Sequence, residues 1–360
     1  MQNSQGGQGG VAGVWRAIDA SANRAAEAIR VLEDVARFVL DDVGLTSLAK
    51  DLRHELAAAL AHQGLRGRVA VRDVVGDVGA GMAKPGALPR ASVADLVAAN
   101  AARGTQAVRS LEECVAVVAP GAAAPFERIR YRLYALERGT LVAVRSRDRL
   151  AGVNLCVLLD GRADQGAFER LFESLVEAGV RMVQIRDKSL AVPALAARVE
   201  AAVAIARRLD RERPAFVVVN DRADVAAAVG ADGAHTGADD LATPLVRRVI
   251  GPDRLLGRTA HDFAEARAAA DEGADYLGIG PCFPSHTKSF GEFAPREFLA
   301  RVATEISLPA FAIGGVTLER LEPLAALGIR RVAVASAITA AADPAAMAAA
   351  FIERLAAAPS

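Results

Sequence analysis

After Gly152 the chain repeats one pattern eight times: a short run rich in Val, Ile and Leu, then an Ala-rich segment of helical period. The runs are Asn154–Asp160, Met182–Lys188, Ala215–Asp221, Gly233–Thr236, Leu255–Thr259, Tyr276–Gly280, Ala310–Gly314 and Arg331–Ala335. Helical segments follow them, among them Phe168–Ala178, Ala194–Leu209, Phe263–Glu272, Leu318–Leu327 and Pro344–Leu355. Eight such units in about 200 residues match a compact (β/α)8 barrel. A doubly wound open sheet is the alternative. Against it, the first strand lacks a following Gly-x-Gly-x-x-Gly turn, and evenly spaced units close more naturally than they fan out. The fold class is therefore α/β: a C-terminal (β/α)8 TIM barrel preceded by a smaller, mainly α-helical domain.

A barrel builds its active face from the residues just after its strands. In Gln184-Ile-Arg-Asp-Lys188, strand alternation turns Gln184, Arg186 and Lys188 to one side. Asn220 and Asp221 end the third strand, and Asp240 follows the fourth. The two acids stand 19 residues apart, yet neighbouring parallel strands bring their ends together. Paired carboxylates beside an amide suit Mg²⁺, a hard cation that keeps water or phosphate oxygens in its other positions. Taken alone, Asp221 reads better as a cap of the next helix and Asp240 as a turn residue. The fifth strand supplies Thr259, the sixth Gly280-Pro-Cys-Phe-Pro-Ser-His-Thr-Lys288, the seventh Gly314-Gly315 and the eighth Ser336. Glycines and a small Ser-Ala turn before a helix make a phosphate cradle, or simply a tight turn. One cradle and one metal-assisted cationic site predict two phosphorylated substrates, or one with phosphate at each end. His261 and His286 have no triad partner nearby in sequence and are read as structural, and Cys282 as packing.

Ahead of the barrel, Trp15 to about Leu60 has helical period, with Ile29, Leu32, Ala36 and Val39 on an apolar stripe and Arg30, Glu33, Asp34 and Arg37 on a solvated one. Residues Arg24–Asp34 align with Arg103–Glu113, and both arginines of each copy and the closing acidic pair are retained. Core packing would keep the apolar positions without keeping the charges, so this is an internal duplication whose Arg/Glu faces are expected to meet in one polar pocket. Its candidate site residues are Arg24, Arg30, Glu33, Arg72, Asp73, Arg103 and Arg109. Between the copies lies a Gly/Pro-rich stretch, Gly64 to Arg90, and Phe126–Arg138 reads as a further helix. Composition places a disordered tail at 1–12, the helical domain at 13–139, a linker at 140–152 and the barrel at 153–360.

Charge is balanced, 43 basic against 43 acidic residues, so no global field points to nucleic acid or an anionic membrane. The 52% apolar content is ample for packed cores, yet no apolar run reaches the ~20 residues of a membrane helix. Three scattered cysteines fit neither a disulfide framework nor a zinc site. With no signal-peptide pattern at the amino terminus, they predict a cytoplasmic protein. Only four basic residues are lysines, and Lys188 and Lys288 both follow predicted strands. Retention of Lys in an Arg-rich chain hints at a task for a compact ammonium.

Taken together, Gln184-x-Arg-x-Lys188, Asn220-Asp221-Arg222, Ala231-Asp-Gly-Ala-His-Thr-Gly-x-x-Asp240, Gly280-Pro-x-x-Pro-x-x-Thr-Lys288, Gly314-Gly315 and Ser336-Ala-Ile338 resemble the thiamine-phosphate synthase family across residues 153–360. The resemblance implies that 4-amino-2-methyl-5-hydroxymethylpyrimidine diphosphate and thiazole phosphate, or its carboxylate, join to give thiamine phosphate and pyrophosphate. It implies Mg²⁺ on Asp221 and Asp240; diphosphate contacts from Arg186, Lys188, Asn220, Thr259 and Lys288; and Gln184 near the pyrimidine. Ser285 and Thr287 would face the thiazole, and Gly315 with Ser336 would cradle its phosphate. Departures are Ala238 at a usual Gln, Thr259 at a usual Ser, Ser285 at a frequent Thr and Arg258 at a commonly aliphatic position. The helical domain resembles one fused ahead of this synthase in some bacteria, which implies a hydroxymethylpyrimidine-phosphate kinase. No Walker-type loop occurs in residues 1–150, so a phosphate sensor or a homo-oligomer interface is the competing expectation. Two rivals remain for the barrel: a thiazole tautomerase, which needs no diphosphate site, and a regulator that binds thiamine phosphates without turnover.

Overall fold

A computed structural model describes residues 5–72, 90–160, 162, 164–237, 239–284 and 293–357, with backbone alone for residues 5–10. The chain divides between Arg145 and Ser146 into two compact units. No helix among the described residues is long and apolar enough to cross a membrane.

The helices ahead of the barrel are α1 (Gln5–Asp34), a π-helical turn at Val35–Val39, α2 (Val43–Leu60), a 3-10 segment at Gln63–Val71, α3 (Val93–Val118) and α4 (Ala124–Arg149). The duplicated segments lie on α1 and α3, which pack side by side. A Cβ on Gly104 would come within 3.0 Å of Leu133 and 3.1 Å of Ala28, so only glycine permits this approach without adjustment. The Ser21 and Ser110 hydroxyls meet there at 3.1 Å.

Several helical expectations are corrected. Glu33 is buried rather than solvated, because the Nε of Arg53 on α2 supplies a charged hydrogen bond at 2.9 Å. Val39 is exposed, since the wider π-helical turn rotates it off the stripe that Ile29, Leu32 and Ala36 follow. Among the described residues the two matching acids have separate partners: Glu33 pairs with Arg53, while its counterpart Glu112 pairs with Arg109 at 2.8 Å and Arg130 at 3.1 Å. Each carboxylate is thus neutralised by its own copy or by the next helix. Residues 5–12 and 140–149, read from composition as tail and linker, are helical backbone.

The second unit is a closed parallel barrel in sequential order. Its strands are β1 (Leu155–Leu159), β2 (Met182–Ile185), β3 (Phe216–Asn220), β4 (Gly233–Thr236), β5 (Leu255–Ala260), β6 (Tyr276–Ile279), β7 (Ala310–Ile313) and β8 (Arg331–Val334). Each lies within the predicted run or one residue beyond it. The intervening helices include α5 (Gln165–Glu177), α6 (Val192–Leu209), α7 (Ala223–Ala228), α8 (Thr243–Ile250), α9 (Phe263–Glu272) and α10 (Arg296–Glu305), followed by α11 (Leu321–Ala325), α12 (Ser336–Thr339) and α13 (Pro344–Ala356). Asp164, Asp262 and Asp343 cap α5, α9 and α13 by accepting N–H bonds at 2.7, 2.8 and 2.9 Å.

Alternation along the strands sorts the interior into layers. Cys156, Met182, Val218, Leu255, Tyr276, Phe311 and Ala333 form an apolar cluster, with Leu150 and Val153 packed against it from the segment before β1. Further along the strands come Gln184, Asn220, His235 and Thr259; Asn220 is in register with His235, whose ring reaches Thr259 at 2.9 Å. The polar layer rests on the apolar one. Burial on both faces explains why the strands read as continuous apolar runs.

Candidate active site

Above the polar layer opens a cavity of about 360 Å³, lined by residues from all eight strand ends. Gln184, Arg186, Lys188, Asn220, Asp221, Asp240, Thr259, Gly315 and Ser336 all reach it. Lys288, Ser285, Thr287, Ala238, His286 and Asp73 lie outside the described residues.

The two predicted acids converge. Asp221 sits at φ +61°, in the left-handed region, where Asp is one of the few tolerated side chains. The turn closes with Arg222 N–H on the Asn220 carbonyl at 2.7 Å, and the Asp221 N–H donates to His235 C=O at 2.8 Å. This strained corner aims the carboxylate into the cavity rather than along α7. Asp240 folds back so that its Oδ2 accepts the Gly237 N–H at 2.7 Å, and its carboxyl lies within hydrogen-bonding reach of Asp221. Burial and the neighbouring Asp240 raise the Asp221 pKa, against the Lys188 ammonium 3.0 Å from its Oδ2. Among the described residues no group of three or more His, Cys, Asp or Glu forms a metal-type cluster. Two crowded carboxylates balanced by one lysine nevertheless suit a hard divalent cation that takes its remaining oxygens from water or a ligand.

Supporting contacts explain how loop residues are held. Between Arg186 and Lys188, Asp187 turns away, accepts the Ser189 N–H at 3.0 Å and pairs with the buried Arg198 of α6 at 3.0 Å. Lys188 therefore projects from an anchored loop. Arg222 turns outward onto Asp224 at 2.8 Å. Arg258 donates to Thr236 Oγ1 at 2.9 Å and to Leu241 C=O at 3.0 Å, tying β5 to the segment after Asp240. The unusual residue at that position thus has a mechanical use. Arg320 lies over Phe283 and donates to the Pro284 and Gly315 carbonyls, bracing the glycine turn.

His261 lines the cavity too, and its Nδ1 meets the Gly280 carbonyl at 2.6 Å. Cys282 is buried, which pushes its thiol up to about 12 and suits packing rather than nucleophilic chemistry.

In the first unit, Arg24, Arg30, Arg103 and Arg109 are exposed. Arg72 makes a two-pronged pair with the buried Asp19 at 2.7 and 2.9 Å, a partner absent from the predicted set.

Sequence reasoning also missed His235 and Tyr276. Their relative exposures are 6% and 2%, and the ring nitrogens of His235 meet Tyr276 OH at 3.2 Å and Thr259 Oγ1 at 2.9 Å. The available signal was glycine. Gly257 stands between them in register, and a Cβ there would fall 2.2 Å from the Tyr276 ring and 2.3 Å from His235. Burial, helped by Arg258, lowers the His235 pKa from 6.5 to about 4. Between those values the unfolded chain takes up a proton that the folded chain refuses. Stability therefore falls as pH drops from 6.5 toward 4, by up to about 3 kcal/mol, and the histidine adds no slope above 6.5. Urea midpoints measured across that window should fall less steeply in His235→Gln than in the parent; equal slopes would contradict the buried neutral imidazole.

Comparison with known proteins places this cavity in context. Residues 155–338 match a family model described as thiamine monophosphate synthase, and residues 16–139 match the ThiD2 family. The chain is 39% identical over 334 residues to a thiamine-phosphate synthase of Rhodopirellula baltica, covering 90% of this chain and 88% of that one. It is 37% identical over 337 residues to one from a Synechococcus strain, covering 92% and 93%. Thiamine phosphate pyrophosphorylase from Pyrococcus furiosus superposes with a TM-score of 0.50 at 28% identity, covering 58% of this chain and 98% of that one.

Proposed function

Because the chain belongs to the thiamine-phosphate synthase family, we propose that its barrel joins 4-amino-2-methyl-5-hydroxymethylpyrimidine diphosphate to thiazole phosphate, or its carboxylate, releasing pyrophosphate and, from the carboxylate, carbon dioxide as well. The observation that supports this most is the convergence of Arg186, Lys188, Asn220, Asp221 and Asp240 on one cavity. That set is redundant in a tautomerase and answers the charge of a diphosphate.

The chemistry needs little more than charge stabilisation and alignment. The bond from the pyrimidine methylene carbon to the diphosphate oxygen breaks with its electron pair leaving on oxygen. The thiazole nitrogen then forms the new C–N bond. An electron-rich aminopyrimidine tolerates positive charge on that carbon, so departure runs ahead of attack. Arg186 and Lys188 neutralise the leaving group, Asn220 and Thr259 donate to it, and Gln184 faces the ring. Gly315 and Ser336 hold the thiazole phosphate at a distance that keeps its nitrogen in line. Asp221 and Asp240 would hold Mg²⁺, which supplies charge stabilisation on diphosphate oxygens when bound. Lys288, Ser285 and Thr287 keep their proposed contacts on the family's motif. No general base is required.

We assign the first unit, about residues 13–139, to phosphorylation of hydroxymethylpyrimidine phosphate, on its match to the ThiD2 family. Cytoplasmic location and self-association are carried forward as proposals, the latter tested by light scattering. The deciding assay supplies the full chain with thiazole phosphate, Mg²⁺ and either pyrimidine diphosphate, or pyrimidine monophosphate plus ATP. Thiamine phosphate in both is expected, and chelation of Mg²⁺ should remove it. Product with the diphosphate alone would reject the kinase; product with neither would reject the synthase.

A further inference from the structure

His235 and Tyr276 have no part in the chemistry above, yet His235 lines the same cavity and the buried Tyr276 stands against it. The Gln184 side chain is within hydrogen-bonding reach of the Tyr276 phenol, and the phenol meets His235 Nδ1, whose ring passes on to Thr259. Four side chains from β2, β6, β4 and β5 therefore form one chain, and both of its ends, Gln184 and Thr259, line the cavity. Two glycines make room for it. Gly257 is flush against both rings, and a Cβ on Gly278 would stand 3.1 Å from His235 Cε1.

A neutral imidazole has one N–H and one lone pair, so such a chain runs in one of two directions. In the first, Gln184 donates to Tyr276, Tyr276 donates to Nδ1, and Nε2–H donates to Thr259. The Thr259 hydrogen is then free to point into the cavity. In the second direction every bond reverses. Thr259 spends its only hydrogen on Nε2 and shows the cavity lone pairs alone. Arg186 and Lys188 line the same cavity beside Asp221 and Asp240; the diphosphate proposed to occupy it is an anion, and an anionic oxygen is repelled by bare lone pairs. The opposite end agrees: in the first direction Gln184 retains its carbonyl oxygen as an acceptor, which suits an N–H of an aminopyrimidine.

We propose that Tyr276 and His235 are positioning residues that fix the direction of this chain, committing the Thr259 hydroxyl to donate to the departing diphosphate. The proposal rests on the cavity being the diphosphate site. Its logic is preorganisation: a hydroxyl already turned outward needs no rotation as negative charge develops on the leaving oxygen.

Nitrogen-15 NMR of the full chain, with the His235 signal identified by its loss in His235→Gln, reads the direction without turnover. A proton on Nε2 is expected; a proton on Nδ1 overturns the proposal. Kinetics give the second test. Tyr276→Phe should lower kcat about tenfold with little change in the KM for thiazole phosphate, and Thr259→Val about a hundredfold. Thr259→Ser, which keeps the hydroxyl, should lose far less than Thr259→Val. Because Tyr276 acts through Thr259, Tyr276→Phe should cost nothing further in the Thr259→Val background and its usual tenfold in Thr259→Ser. Multiplying losses in the Val background would reject the coupling. Inorganic pyrophosphate with Mg²⁺, titrated calorimetrically, separates this from the underlying assignment. A parent chain that neither binds it nor turns over rejects the diphosphate site itself, whereas binding unaffected by Thr259→Val rejects only the donated hydrogen bond.

Discussion

Asp221→Asn should fold as stably as the parent and lose about three decades of kcat/KM, roughly 4 kcal/mol of transition-state stabilisation. The backbone predicts the first half. Asp221 occupies φ +61°, and Asn shares with Asp the ability to stand there. The crowded pair predicts that stability will not fall, because burial and Asp240 already raise the Asp221 pKa. Removing the charge relieves that strain and leaves the exposed Lys188 to solvent. Loss of activity has the opposite origin: one carboxylate of the Asp221–Asp240 pair is gone, and with it much of the attraction for a divalent cation. The Mg²⁺ concentration giving half-maximal rate should rise at least about tenfold in the variant. Thermal unfolding and a Mg²⁺ titration of the rate check both halves. A variant that keeps its activity would remove Asp221 from the metal site, and one that fails to fold would show the residue to be a structural corner.

Gly315→Ala should cost about 3 kcal/mol of barrel stability and raise the KM for thiazole phosphate about a hundredfold. The added Cβ would lie 2.3 Å from Pro284 O and 2.6 Å from Phe283 O, which are backbone atoms that cannot swing away. The residue also stands at φ +62°, where a side chain costs a further ~1–2 kcal/mol. Movement of this turn would carry with it the Gly315 carbonyl that Arg320 braces. The KM for pyrimidine diphosphate should change far less, because its proposed contacts other than Lys288 follow β2 to β5. Gly230→Ala is the control: φ is +71° there but nothing lies within 4 Å of the new Cβ, so only the backbone term remains. Equal losses in both variants would show that left-handed strain, rather than close approach, is what matters at Gly315.

Strand-end positions were legible because the topology is regular. Once eight parallel strands are recognised, Gln184, Asn220, Asp221 and Thr259 have only one rim to occupy. Asp232 and Asp240 show the limit of that reading. They share one stretch, but Asp232 accepts the Val217 N–H at 2.8 Å at the start of the strands while Asp240 turns into the cavity. Distance along the chain does not separate a structural acid from a cavity acid; the end of the barrel does. Glu33 was misplaced for a related reason, since periodicity records the face of a helix and not the Arg53 that comes to meet it.

By itself, then, the sequence determined the order of strands, the rim on which the cations and acids collect, and the duplication of the first unit. These depend on local period and on residues within a few positions of one another. Tertiary structure alone decided that Tyr276 and His235, 41 residues apart, would meet across a glycine, and that Lys188 would rest on Asp221. Such contacts depend on strand register and on the space a missing side chain leaves, and neither is a property of any single segment.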